Sequence, residues 1–296
     1  MKKAIIFGIN GQDGFYLKNK LLYEKIEVIG VSRSNATIIG SVNDARLVKT
    51  LIKENKPDYI FHLAAVSQTS HELLLEHQET ILKGTLNILE NSWIHSPASK
   101  IFISGSGLQF INTGKPISEF DPFEAKDSYS LARIQSAYAT RYYKNKGLNT
   151  YIGYFFNHDS PLRSEKHLNQ FIVQTAMRLE NKIDKRLTIR DPQYMKEFLF
   201  AGDAMDAVLT FVNQNDISEV VIGSGLAYKV LDWIKICFDY FNLELENYLE
   251  SENIESNPNI LVSDPKTIFS LGWRPKVNIE ELALLMINHD PQFIRT

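Results

Sequence analysis

A chain of 296 residues with 44% hydrophobic and 23% charged side chains holds enough apolar material for a sizeable core. It suits one large α/β domain or a nucleotide-binding domain with a smaller partner. The formal net charge of -3 excludes a basic field that would draw nucleic acid or an anionic membrane surface. Cys237 is the only cysteine, so an internal disulfide and a thiolate metal cluster are ruled out and a cytoplasmic setting is expected. The apolar run near the start breaks at Gly8 and is followed by Asn10, Gln12 and Asp13, which does not read as a secretory signal. No stretch approaches the roughly 20 apolar residues of a membrane helix.

In chain order, residues 4–8, 27–32, 59–64, 100–104 and 150–155 are short, rich in Ile, Val and Phe and bounded by turn residues, which predicts buried strands. Between them, residues 14–25, 44–54, 72–92 and 131–146 carry helical periodicity, with Asp44 in the position of an N-cap. This alternation predicts a doubly wound parallel sheet, the Rossmann arrangement, over residues 1–156. Residues 157–296 are less regular and are expected to form a smaller α/β substrate domain, with segments near 196–225 returning to the first domain. Helices are expected at 170–180, 202–213, 230–241 and 279–289, strands at 186–189 and 220–223, and a polar loop at 244–259. Asp203 and Asp206 fall near a helix start, where they would favour its dipole.

Gly8, Gly11 and Gly14 stand in a Gly-x-x-Gly-x-x-Gly run between the first strand and the first helix. Glycines there let a backbone turn approach a pyrophosphate, whose charge then rests on the helix N-terminus. Asn10, Gln12 and Asp13 complete the turn, and Leu63, Ala64, Ala65 and Phe156 follow later strands on the same side. The second strand ends in Ser32-Arg33-Ser34 and lacks the carboxylate that an NAD site uses for the adenosine ribose. An arginine between two hydroxyls suits a 2′-phosphate, so NADP(H) is favoured over NAD(H).

Tyr129 and Arg133 lie four residues apart at the start of a helix and therefore on one face, where a cation favours a phenolate. Ser104 and Ser106 follow the fourth strand and could direct a hydroxyl at the same substrate carbonyl.

Taken together these features resemble the extended short-chain dehydrogenases/reductases, and within them the branch of GDP-mannose 4,6-dehydratase and GDP-4-keto-6-deoxymannose reductase. The resemblance runs through Gly11-Gln-Asp-Gly14, Pro57-Asp58 with His62-Leu-Ala-Ala-Val-Ser67, Gly84-Thr-Leu-Asn-Ile-Leu89, Phe156-Asn-His-Asp-Ser-Pro-Leu-Arg163, and Asp264-Pro-Lys with Leu271-Gly-Trp-Arg-Pro-Lys276. It implies Ser106, Tyr129 and Arg133 as the catalytic Ser/Thr, tyrosine and basic residue. It also implies Ser67, Ser106, Asn157, His158, Arg163 and Lys196 as sugar-nucleotide contacts, and a homodimer or homotetramer.

Four departures qualify what the resemblance implies. The glutamate that dehydratases place two residues after the Ser/Thr is Leu108, and the family lysine is Arg133. The Arg-Asp-Trp run is Lys196-Glu-Phe198, and the arginine expected before Asp264 falls near Glu255 or Ser256. Dehydration would need a replacement carboxylate, with Glu119 and Glu124 nearest in sequence. The expected activity is thus NADPH-dependent reduction of a 4-keto sugar nucleotide. The alternatives are a 4,6-dehydratase, an epimerase, or a cofactor-binding partner protein with weakened chemistry. His62, His71, His77 and His158 are not spaced as a metal set.

Overall fold

The computed structural model describes residues 1–251 and 260–289. Seven strands form one parallel sheet: β1 (Lys3–Phe7), β2 (Glu27–Ser32), β3 (Ile38–Ile39), β4 (Tyr59–His62), β5 (Lys100–Ser106), β6 (Asn149–Phe155) and, far along the chain, β11 (Glu219–Ile222). Their spatial order is β3-β2-β1-β4-β5-β6-β11, so the chain reverses its direction of winding between β1 and β4.

The middles of the inner strands are apolar because both faces are covered. Ala4, Ile6, Tyr59, Phe61 and Phe102 enter one core, while Ile5, Phe7, Ile60, Ile101 and Ile103 enter the other. Helices α1 (Gln12–Tyr23) and α7 (Ala201–Val212) pack together on the first face, and α2 (Ala45–Asn55), α4 (Gly84–His95) and α5 (Ser128–Asn145) cover the second. Asp44 caps α2 as expected, accepting from the amides of Arg46 and Leu47 at 2.9 and 3.2 Å.

The helix expected at 72–92 is instead composite. A turn at His71–Leu73 leads through α3 (Leu74–His77) and a wider π-helical turn, Gln78–Lys83, into α4. Two expected ends also move: β4 stops at His62, and β5 continues to Ser106, which places Ser106 at the strand's C-terminal tip.

The remaining strands are short: β7 (His158–Asp159), β8 (Leu187–Ile189), β9 (Met195–Glu197), β10 (Leu199–Phe200), β12 (Ala227–Lys229), β13 (Leu249–Ser251) and β14 (Ile260–Leu261). They are accompanied by α6 (Leu168–Glu180), α8 (Val230–Tyr240), α9 (Leu245–Tyr248), α10 (Lys266–Ser270) and α11 (Ile279–Ile287). The expected loop at 244–259 is corrected over its first part, where α9 leads into β13. Pairing with β8, reinforced by the Arg186–Glu250 ion pair, gives this polar segment an order that its own composition does not signal. Glu255 and Ser256 lie outside the described residues. Asp203 has a further role beyond the helix dipole: its carboxylate accepts from the amides of Lys276 and Val277 at 2.7 and 2.8 Å, tying α7 to the segment before α11. Among the described residues, no helix is long and apolar enough to cross a membrane.

Candidate active site

A cavity of about 380 Å³ opens at the C-terminal ends of β1, β4, β5 and β6. One wall is the glycine turn. Gly8 has φ +94°, and a Cβ on it would come within 2.7 Å of the Ala64 amide nitrogen. A Cβ on Gly14 would come within 2.4 Å of the Gly8 carbonyl oxygen. The turn therefore accepts only glycine at these positions. Gly11 is the N-cap of α1 and supplies no side-chain cap, which leaves the first amides of the helix for an anion. These features fit a dinucleotide pyrophosphate, with Gly11, Gln12, Asp13 and Gly14 on the cavity wall and Leu63 and Ala65 opposite.

The candidate reactive side chains come from β5 and α5. Asp127 caps α5, accepting from the Ser130 amide at 2.7 Å, and thereby starts the helix just before Tyr129. The Tyr129 ring is buried against Ile81 and Ala132, with the His77 ring edge-on at 5.6 Å. One turn later the Arg133 guanidinium carbon lies 5.1 Å from the centre of the tyrosine ring, so the expected shared face is present. Among the described residues the Tyr129 hydroxyl has no hydrogen-bond partner. Ser106 Oγ accepts from the Leu108 amide at 3.2 Å, while its own proton has no acceptor among them.

The two serines of β5 have separate fates. Ser104 Oγ donates to the His62 carbonyl at 2.8 Å and accepts from Arg133 Nη1 at 2.8 Å, so it is not free to meet a substrate. Burial, reinforced by the charge of Arg133, pushes His62 down to about 4 and keeps it neutral.

The far wall is built from the segment after β6. His158 Nε2 lies 3.0 Å from Asp13 Oδ1, and His158 Nδ1 lies 2.8 Å from the Phe156 carbonyl. Burial opposes charge on both members, but each is outweighed by the other: Asp13 is held below the usual carboxylate range and His158 above the usual histidine range. Gln12 spans the same junction, donating to the His158 carbonyl at 3.2 Å and accepting from Ser160 at 2.9 Å. Asn157 leaves a buried Oδ1 without a partner at the cavity wall.

Arg163 and Lys196 make this end cationic, while burial and the charge of Arg163 hold the neighbouring His167 below the ordinary histidine range. Arg163 Nε lies 3.5 Å from Asp159. Burial holds Lys196 below the ordinary lysine range; Asp159 opposes that and Arg163 adds to it. The α6 N-terminus also faces the cavity, and His167 at its N-cap position makes no capping hydrogen bond. An anion held here would relieve the mutual repulsion of Arg163 and Lys196.

Not every anticipated residue lines this cavity. Asn10 donates to the Ser34 carbonyl, and both residues line a neighbouring hollow beside α1. The Ala64 backbone packs under Gly8, and Ser32 ends β2. Arg33 points to solvent and pairs with Glu76 at 3.2 Å. Glu119 is engaged elsewhere, accepting from the Val221 amide and Thr267, and Glu124 pairs at the surface with Lys126. In the Lys196-Glu-Phe198 run only Lys196 reaches the cavity. Glu197 clips Ser224 to Ser263, and Phe198 stacks on Trp233 with ring centres 5.1 Å apart.

Residues that sequence reasoning did not assign to the site include Gly105 and Phe155 at the strand ends, and Asp159, His167, Leu168, Asn169 and Leu261. Asp159 lay in plain view inside the Phe156–Arg163 run. His167, Leu168, Asn169 and Leu261 arrive through the tertiary placement of α6 and β14, for which no local signal exists. Among the described residues, no three His, Cys, Asp or Glu side chains gather as a metal site.

By fold the molecule has the Rossmann arrangement of the extended short-chain dehydrogenases/reductases. It superposes with a TM-score of 0.84 on the NADPH complex of RMD from Pseudomonas aeruginosa, at 17% identity and 98% coverage of both chains. The corresponding score is 0.85 for dTDP-glucose 4,6-dehydratase from Bacillus anthracis in complex with NAD, at 16% identity over 98% of this chain and 96% of that one. The chain belongs to the GDP-mannose 4,6-dehydratase family, whose model matches residues 36–286. Among its relatives, GDP-mannose 4,6 dehydratase 1 of Arabidopsis thaliana is 27% identical across 98% of this chain and 90% of its own length. The chain is accordingly an NAD(P)-dependent nucleotide-sugar enzyme.

Proposed function

We propose that the chain reduces a 4-keto sugar nucleotide, of the GDP-4-keto-6-deoxymannose kind, using NADPH. The observation that carries this reading is the chemistry of the cavity wall. Tyr129 and Ser106 present hydroxyls with unused protons, whereas the lining carboxylates among the described residues, Asp13 and Asp159, are each engaged by a cation. Leu108 lines the cavity where a dehydratase needs a base, and neither Glu119 nor Glu124 takes its place. Among the described residues, proton abstraction from carbon therefore lacks its agent, while the groups that reduction needs are in place.

A dinucleotide held by the glycine turn would supply the hydride that the keto carbon takes up. Ser106 donates a hydrogen bond to the keto oxygen and holds it beside Tyr129. Tyr129 passes its phenolic proton to that oxygen as negative charge develops, and Arg133 stabilises the phenolate left behind. Arg163, Lys196 and the α6 N-terminus hold the substrate diphosphate, with Asn157 offering its free amide oxygen to a sugar hydroxyl. Residues 1–156 carry the dinucleotide, and residues 157–296 chiefly carry the sugar nucleotide. NADPH is preferred because β2 ends without a carboxylate and with Arg33. The exposed pair of Arg33 with Glu76 is weak enough for a 2′-phosphate to displace.

The family's other members favour a dehydratase as the second reading. The two are separated by following the loss of reduced-nicotinamide absorbance with GDP-4-keto-6-deoxymannose as substrate. Turnover is expected in the unaltered protein, and a fall of about 10²- to 10⁴-fold in Tyr129→Phe. Failure to oxidise NADPH with this or related 4-keto sugar nucleotides would refute reduction.

A further inference from the structure

The arginine at position 133 meets a problem that a lysine would not. Its guanidinium is longer and branched, and it must be held back from the cavity floor if the remaining donors are to face a ligand. The structure shows how. Nη1 donates to both the carbonyl and the hydroxyl of Ser104, the latter at 2.8 Å. Arg133 and Ser104 are both buried. The serine hydroxyl cannot rotate away, because its proton is already given to the His62 carbonyl at 2.8 Å. Its lone pair is therefore fixed toward Arg133 by a bond reaching across to β4.

We infer that Ser104 is a positioning residue. It locks the Arg133 guanidinium against β5, and this orientation lets an arginine serve the tyrosine and the dinucleotide. The neutral His62 is part of the arrangement, since a charged imidazole beside the guanidinium would push it out of place. Nη2 of Arg133 has no hydrogen-bond partner among the described residues, and Nε is buried without one, so the clamp holds a single nitrogen of the group. Alanine at position 104 would keep the backbone carbonyl but remove the acceptor that selects one rotamer. Threonine would retain it.

This inference rests on the proposed cofactor role of Arg133, so the test reads cofactor affinity separately from turnover. NADPH is titrated by its fluorescence into the unaltered protein, Ser104→Ala, Ser104→Thr, Arg133→Ala and the Ser104→Ala/Arg133→Ala double variant, with thermal midpoints confirming folding. Ser104→Ala is expected to weaken NADPH binding by about tenfold, Ser104→Thr to restore it, and Ser104→Ala to add nothing once Arg133 is alanine. With keto sugar present, the loss in Ser104→Ala should fall on kcat as well as on the KM for NADPH. Additive effects of the two alanines, or unchanged affinity in Ser104→Ala while Arg133→Ala binds poorly, would overturn the positioning role alone. No effect of Arg133→Ala on NADPH would overturn both this role and the placement of Arg133 on the dinucleotide.

Discussion

That Tyr129, Arg133 and Ser106 meet in one cavity could be anticipated from their types and spacing: a phenol, a cation one helical turn away and a hydroxyl at a strand tip. Ser104 was not separable from Ser106 by sequence, because two serines at a strand end look alike until the partner of each hydroxyl is known. His62 was legible only as a strand residue. Its burial beside Arg133 yields a direct prediction. Its value falls from the ordinary 6.5 to about 4, so between those pH values the unfolded chain takes up a proton that the folded chain refuses. Stability is undiminished by His62 above pH 6.5 and declines as pH falls, by about 3 kcal/mol on reaching pH 4. Urea midpoints across this range should fall in the unaltered protein and stay flatter in His62→Asn. Equal slopes in the two would show that the buried imidazole is not the source. Arg33 carries a second residue-scale prediction. Arg33→Ala should raise the Kd for NADPH about tenfold and leave that for NADH unchanged, as read by titration with each dinucleotide. An equal change for both would remove Arg33 from the recognition of the 2′-phosphate.

Among the elements, the doubly buried strands of the central sheet were easiest to read, since alternate side chains of β1, β4 and β5 feed two different cores and leave nearly unbroken apolar runs. The π-helical turn between α3 and α4 had no such signature; its Ile81 packs against Tyr129, next to His77 at the end of α3. β13 was hidden for a related reason: its order comes from pairing with β8 rather than from its own acidic composition. The glycine turn and α1 were readable as a unit, and the structure makes the requirement quantitative. With the Gly8 carbonyl only 2.4 Å from where a Cβ on Gly14 would lie, Gly14→Ala must displace the turn. NADPH affinity should drop tenfold or more, by an order-of-magnitude argument, while circular dichroism stays that of the folded chain. Undiminished affinity would place the pyrophosphate elsewhere.

At the level of the whole molecule, the site exists only because distant segments meet. The Asp13–His158 pair and Gln12 join the glycine turn to the segment after β6, and that segment and β9 bring Arg163 and Lys196 to the far end of the same cavity. Family membership alone would favour dehydration, yet among the described residues the assembled cavity offers hydroxyls and engaged carboxylates instead of a free base. The measurement that decides between them supplies GDP-mannose and GDP-4-keto-6-deoxymannose separately, and follows the sugar nucleotides by mass spectrometry. Reduction predicts that the keto compound gains two hydrogens at the expense of NADPH, and that GDP-mannose loses no water. Loss of water from GDP-mannose, with the keto compound left untouched, would contradict the account and return a carboxylate base to the site.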